Sequence, residues 1–504
     1  MSDVCLILEG TYPYITGGVS AWVHNLIKGL PGLKFSLLTI LPSGDVYKDY
    51  KYDIPSNVVS VTRVYVHQSE LSNKRAPFIF PWRKGGWRPG QRRELFRMVD
   101  QFYMDMARGE YTLLPGIFTD MINPATRVIS PADIFNATET WDLLVKHYDL
   151  LETTESFIDY FWTWRYSHMP LLRLFDVQIP RASVYHTVST GYAGVAAVFS
   201  KLITSRPMII TEHGIYTNER RIEIEQANWI YERKIDRTVI TANSSLFKEI
   251  WISLFEHFSR VSYAWADEII TLFENNRKMQ IRGGADPWKT SVIPNGIKLS
   301  RFPFQRKQGK TVGPFVIGFV GRVVPIKDVK TFIRACRIIT DEFPDTLFRV
   351  MGPCDEDTEY FEECRTMVSM LGLQENLEFT GPVNVSREYP NLDLLVLTSV
   401  SEGMPLVILE AGCCGVASVA SDVGACSELL NGRTSEDQAL GVSGLVTPIA
   451  DHESTAEAVI SILRKPHLLD VMGESARRRT EIHYNEEDLN FAYQEIYRKY
   501  IDRV

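Results

Sequence analysis

Two widely separated stretches of this chain share one local pattern. A short apolar strand runs into a loop, the loop into an amphipathic helix, and the helix into a second apolar strand. The first stretch is Val4–Leu8 (VCLIL), a loop over Glu9–Thr16, a helix opened by Gly17-Gly18, and Phe35–Leu41 (FSLLTIL). In that helix Val19, Trp22, Val23, Leu26, Ile27 and Leu30 recur with the helical period. The second stretch is Phe315–Val320, a helix over Asp328–Phe343, and Leu347–Met351. Unbroken apolar runs of strand length suit strands buried on both faces, as in a parallel sheet covered by helices. The repeated strand–helix–strand opening therefore predicts two doubly wound α/β domains. A chain of 504 residues is in any case too long for one core.

Between these openings the rhythm breaks and resumes. From about 60 to 180 the sequence is rich in aromatic and basic residues, and Leu95–Ala107 and Phe157–Phe175 read as helices. This region is expected to be a large helical insertion. The α/β alternation returns with a strand at Val184–Thr187, a helix from Gly191 and a strand at Pro207–Thr211. Arg301–Pro314 has the Pro, Gly and charge content of a linker. Later strands are expected at Leu377–Thr380, Leu392–Thr398, Ser418–Ala420 and Gly444–Val446, and helices at Phe361–Leu371, Ser454–Leu463 and Glu486–Tyr500. The expected domains are thus 1–303 and 304–481, followed by a terminal helix within 482–504.

A formal net charge of −8 argues against a nucleic-acid binder. Met1-Ser2-Asp3 before Val4 lacks the basic region of a signal peptide. No run of 18 apolar residues is free of charges and breakers, so no membrane-spanning helix is expected. The seven cysteines show no metal-ligand spacing and read as reduced residues of a cytosolic protein.

Chemistry concentrates where predicted strands end. After Leu392–Thr398 comes Ser401-Glu402-Gly403-Met404-Pro405-Leu406, and Glu410 follows within the next predicted helix. Pro405 suits the first helical position. The N–H groups of Gly403, Met404 and Leu406 would then face a ligand at the positive helix end. Glutamates at such spacing also occur as plain helix-start acids. Arg322 and Lys327, after the first strand of the second domain, offer a planar fork and a point charge for a diphosphate, or are two surface cations. Gly17-Gly18 permits close backbone approach or makes a simple turn. His213 follows a strand end and either meets a sugar hydroxyl or is structural; His186 has the weaker case. Asp355-Glu356-Asp357 has the look of a metal-binding acid pair, but an acidic helix start explains it without a metal. Arg83–Arg93 reads as a solvated basic loop or a partner surface, and the aromatic run Phe157–Tyr166 as an internal helix or a sugar-stacking face.

Taken in order, Gly17-Gly18, His213, Arg322 with Lys327, and Glu402 with Glu410 resemble the retaining GT-B glycosyltransferases of family 4, the group of glycogen and sucrose synthases. The resemblance extends through Ser421-Asp422-Val423-Gly424 and Gly441–Pro448. Leu8–Trp22, together with the long insertion, resembles one subgroup, the cytosolic transferase of the Pel exopolysaccharide system. The resemblance implies two Rossmann-like domains facing a cleft, with the C-terminal helix crossing back to the first. It implies a UDP-sugar donor, a polysaccharide acceptor, no metal or other cofactor, and partnership with an inner-membrane synthase. Arg322 and Lys327 would bind the diphosphate, Glu410 the ribose, and Glu402 the sugar beside the Gly403, Met404 and Leu406 amides. Gly17 and Gly18 would approach the donor, and His213 would line the reacting sugar. The insertion has no counterpart in simpler members, so the acceptor does not transfer by analogy. Rival readings are a UDP-sugar epimerase of the same fold, a phosphorylase-like enzyme, and a catalytically silent nucleotide-sugar-binding scaffold.

Overall fold

The computed structural model describes residues 1–42, 49–66, 89–108, 110, 137–175, 177–227, 246–304 and 314–502. The chain divides into two compact units. The first comprises Met1–Thr271, Arg277–Ser291 and Gln494–Val504; the second comprises Leu272–Asn276 and Val292–Tyr493.

The first unit is built on a seven-stranded sheet. Its strands are β1 (Ser2–Glu9), β2 (Phe35–Leu41), β3 (Val58–Tyr65), β4 (Ala182–Thr187), β5 (Met208–Glu212), β6 (Glu268–Thr271) and β7 (Thr290–Val292). Their order is β3-β2-β1-β4-β5-β6-β7, with parallel pairing from β3 through β6. Strands β2, β4 and β5 are buried throughout, as suits inner strands of a parallel sheet, and their polar side chains are enclosed with the apolar ones. Strand β3 corrects the expected start of the insertion near residue 60. It pairs with β2 from Val58 to Tyr65, and the described chain leaves the sheet only after it. Its position at the edge explains why Ser60, Thr62 and Arg63 are tolerated there and interrupt its apolar run.

The inserted region contributes helices at Pro89–Ala107, Thr138–Leu150 and Phe157–Leu174. Their inner residues Leu95, Phe96, Phe102, Leu144, Tyr160 and Trp164 join the core of the first unit. The aromatic helix is two-faced. Tyr160 and Trp164 are buried, while Ile158, Trp162 and Tyr166 are exposed. Arg83, Lys84 and Arg88 of the basic stretch lie outside the described residues.

The second unit has a six-stranded parallel sheet in the order β10-β9-β8-β11-β12-β13. These strands are β8 (Val316–Val320), β9 (Leu347–Met351), β10 (Leu377–Gly381), β11 (Leu394–Leu397), β12 (Ala417–Ser421) and β13 (Gly444–Thr447). The Val329–Glu342 helix buries Val329, Phe332, Ile333, Cys336 and Ile339 on one face, and Asp328 caps its start by accepting from the Thr331 N–H. A long helix at His467–His483 was not anticipated from the sequence. Residues 292–303, placed before the expected boundary, cluster with this unit. There Ile297 donates its N–H to Tyr484 O and accepts from Glu486 N. The last helix, Glu486–Ile501, begins in the second unit, and its residues from Gln494 onward cluster with the first. Among the described residues no helix is long and apolar enough to cross a membrane.

Candidate functional site

In the second unit the strand order reverses between β8 and β11. Open parallel sheets leave a ligand crevice at the carboxyl ends of strands at such a switch point. Arg322 and Lys327 follow β8, and Glu402 follows β11. The Lys327 ammonium pairs with Glu402 Oε1, which also accepts from the Ser399 hydroxyl at 2.6 Å. Both charged side chains are mostly shielded, at 20% and 12% exposure. Two further bonds lock the loops together: Val400 N–H donates to Ile326 O at 3.0 Å, and the Thr398 hydroxyl donates to Asp328 O at 2.8 Å. Arg322 reaches the other way. Its Nη1 contacts both carboxylate oxygens of Glu356, in the loop after β9, at 2.5 and 2.7 Å.

The loop beyond Glu402 is set by close backbone approach. Gly424 lies at φ +54°, and a Cβ there would meet Gly403 O at 2.1 Å and Glu402 O at 2.4 Å. The adjoining Ala425 N–H donates to Gly403 O at 2.8 Å. Only glycine allows this contact at this conformation. Met404 is buried, with its sulfur accepting from the Asn295 N–H at 3.3 Å. Pro405 is the N-cap residue, with ψ 108°, so it does not take the first helical position expected of it. The helix starts at Leu406 because the extended ψ of Pro405 ends the loop one residue later than a proline at the first position would. Among the described residues no hydrogen bond is found from the N–H of Gly403, Met404 or Leu406. Unused donors at a helix start suit an anionic or hydroxylated ligand.

Glu410 is the fifth residue of that helix. Burial raises its pKa, and a hydrogen bond from Tyr389 and the charge of Arg301 oppose the rise. The fully buried Tyr389 donates to its Oε2 at 2.8 Å, which fixes the carboxylate's orientation.

In the first unit the order reverses between β1 and β4. Gly17 caps the helix that follows β1, and a Cβ on Gly17 or Gly18 would meet nothing within 4 Å. Neither glycine is needed for internal fit. Trp22 of that helix sets its indole edge-on to His213, with ring centroids 4.7 Å apart at 78°. Burial lowers the His213 pKa to about 4, so the imidazole is neutral near pH 7. His186 lies inside β4 rather than after it. It contacts the Tyr497 hydroxyl at 2.6 Å and the Thr211 hydroxyl at 2.9 Å, and is a structural residue.

Asp357 spends its carboxylate as a helix cap, accepting from the Tyr360 N–H at 3.0 Å, and Glu356 faces Arg322. Among the described residues no group of three or more His, Cys, Asp or Glu side chains is placed to hold a metal ion. Ser399, Tyr389, Glu356 and Gly424 were not singled out individually as site residues from the sequence. Tyr389, Glu356 and Gly424 act through partners on other segments, and Ser399 through Glu402 three residues on in the same loop.

Residues 2–288 match the family described as "Domain of unknown function (DUF3492)", and residues 300–479 match "Glycosyl transferases group 1". A D-inositol 3-phosphate glycosyltransferase of Geodermatophilus obscurus is 31% identical over 221 residues, 41% of this chain and 47% of that protein. An exopolysaccharide phosphotransferase of Streptomyces coelicolor is 32% identical over 215 residues, 42% of this chain and 21% of that protein. The match to these curated relatives thus spans half their length or less. Among solved structures, HepE of Anabaena in complex with UDP is similar at TM-score 0.58 and 15% identity, covering 98% of this chain and 99% of that one. The fold is GT-B, with two Rossmann-like parallel-sheet domains.

Proposed function

We propose that this chain, which belongs to the DUF3492 family and carries a group 1 glycosyl transferase domain, moves a hexosyl unit from a UDP-sugar to a growing exopolysaccharide. The observation that carries this reading is the meeting of Lys327 and Glu402 at the switch point of the second sheet. In this reading Arg322 and Lys327 bind the diphosphate. Glu402, with the Gly403, Met404 and Leu406 amides beside it, contacts the donor sugar. Glu410, oriented by Tyr389, accepts from the ribose. Gly17 and Gly18, whose missing side chains serve no internal fit, leave room for the donor, and His213 lines the reacting sugar. The donor class is supported by the UDP complex of HepE, and the acceptor class by the exopolysaccharide relative. The resemblance of Leu8–Trp22 to the Pel-system transferase, usually called PelF, supports a Pel-type product made with a membrane synthase partner at the cytoplasmic face.

The proposed reaction retains anomeric configuration by front-face transfer. The bond between the anomeric carbon and the diphosphate oxygen breaks as the acceptor oxygen bonds to that carbon. The leaving diphosphate takes the acceptor proton. Arg322, Lys327 and the helix dipole stabilise the charge that develops on it. No metal is required in this reading, which the capping role of Asp357 supports.

The test is calorimetric titration of UDP, ADP and GDP into wild type and Glu410→Ala without metal. Selective UDP binding, weakened in the variant, is expected. Absence of nucleotide binding would overturn the donor assignment. Lys327→Ala should cut turnover by about a hundredfold or more, the loss seen when one transition-state donor is removed. Its fold should remain intact, and wild-type turnover would remove Lys327 from the mechanism.

A further inference from the structure

We infer that Glu212 is a positioning residue for His213, an inference that rests on the role given to His213 above. Glu212 is the last residue of β5, and its carboxylate is fully buried at 1% exposure. Its Oε1 accepts from the Thr190 hydroxyl at 3.1 Å and from the backbone N–H of Tyr216 at 3.3 Å. Its Oε2 accepts from the Tyr263 hydroxyl at 2.5 Å and from Gln280 Nε2 at 3.0 Å. Four donors thus arrive from four segments: the loop before the Tyr192–Thr204 helix, the start of Tyr216–Gln226, the Leu246–Trp265 helix and the Glu274–Arg282 helix. Among the described residues no ion pair to Glu212 is found. Burial of a carboxylate on neutral donors alone is costly, and an apolar residue would serve the fold more cheaply.

The geometry shows what that cost secures. His213, Gly214 and Ile215 form a three-residue link between Glu212 and Tyr216. One end of the link is the backbone of Glu212 itself, and the other is tied back to its carboxylate through the Tyr216 N–H. Tyr216 has two more anchors. Its hydroxyl donates to Glu9 Oε1, at the end of β1, at 2.8 Å. Its ring lies so close to Gly191 that a Cβ there would meet ring atoms at 2.2 Å. A link this short, held at both ends, leaves the His213 ring little freedom beyond its place against Trp22. Glu212 touches no reacting atom in this account. It fixes where the imidazole stands.

Glu212→Gln keeps size and shape but turns one acceptor oxygen toward two donors as an amide N–H. Displacement of the histidine by a fraction of an ångström should lower kcat by about tenfold to a hundredfold. KM for the UDP-sugar and calorimetric UDP affinity should stay within about twofold, because Glu212 makes no contact with the donor-binding residues. The decisive readout is a double-mutant cycle. In a His213→Ala background, Glu212→Gln should change kcat by less than about twofold. Fully additive losses against a slow His213→Ala enzyme would overturn the inference alone. Wild-type turnover by His213→Ala would overturn the role of His213, and the inference with it. If Glu212→Gln does not fold, Tyr263→Phe removes one of the four donors and carries the same cycle with the same criteria.

Discussion

Arg322 and Lys327 follow one strand and are two cations suited to one diphosphate, yet they stand in different surroundings. Lys327 shares Glu402 with Ser399 in a shielded contact, so its partner belongs to the same proposed site. Arg322 is held by Glu356, and both side chains are half exposed at 50%. A diphosphate must therefore draw Arg322 away from a carboxylate that has no other part in binding. An exposed ion pair is worth only ~0.2–1 kcal/mol. Glu356→Gln should then tighten UDP binding by about two- to fivefold, with the gain shrinking as salt is added. Calorimetry at low and high ionic strength checks this. Unchanged or weaker binding would mean that Arg322 does not meet the diphosphate.

At the scale of the element, the long helix His467–His483 does more than cover the second sheet. Its Arg479, fully buried, donates Nε to Asp437 Oδ1 at 2.6 Å and binds the carbonyls of Leu430, Asp437 and Gly441 at 2.9, 3.0 and 2.6 Å. One side chain thus pins the loop that leads into β13. Truncation of Arg479 to Ala leaves the Asp437 charge buried and should cost about 3–5 kcal/mol, read as a lower urea midpoint. A smaller loss in the Arg479→Met, Asp437→Leu pair would separate the unpaired charge from lost packing. This helix also shows where sequence reading stops. Strands such as Phe35–Leu41 and Leu347–Met351 were legible because a buried parallel strand is an apolar run whatever surrounds it. His467–His483 was not, because one polar face and an internal arginine dilute its period, and that arginine becomes an inside residue only once Asp437 is in place. Edge strand Val58–Tyr65 failed for the related reason that half its surface is solvated. The candidate site divides in the same way. Lys327, Glu402 and Glu410 announce themselves in the segments after strand ends, whereas Tyr389 and Glu212 act through partners that only the fold supplies.

Across the whole molecule, the buried histidines that acid destabilises lie in the first unit. His168, His186 and His257 are buried in the first unit, and burial lowers their pKa values from 6.5 to about 4, about 3 and about 4. A depressed histidine contributes stability that is present above its unfolded pKa near 6.5 and is lost as pH falls toward the folded value. Each should cost the first unit about 1–2 kcal/mol by pH 5. His213 adds to the trend in the same direction. Glu212, raised by burial, opposes it, since its protonated form suits the folded unit. In the second unit desolvation raises the half-buried carboxyls of Glu410 and Glu428, which gain from acid, while hydrogen bonds lower those of Glu342, Glu436 and Asp451, which lose by it, so the two effects oppose each other. Thermal scans from pH 7 to pH 5 should therefore resolve a falling transition for the first unit from a steadier one for the second. UDP identifies them, because in the proposed reading the nucleotide is held chiefly by Lys327, Glu402 and Glu410 and should raise the transition of the unit that contains those residues more than the other. If the UDP-sensitive transition is the one that falls with acid, either the histidines are not neutral inside the first unit or the nucleotide does not bind the second.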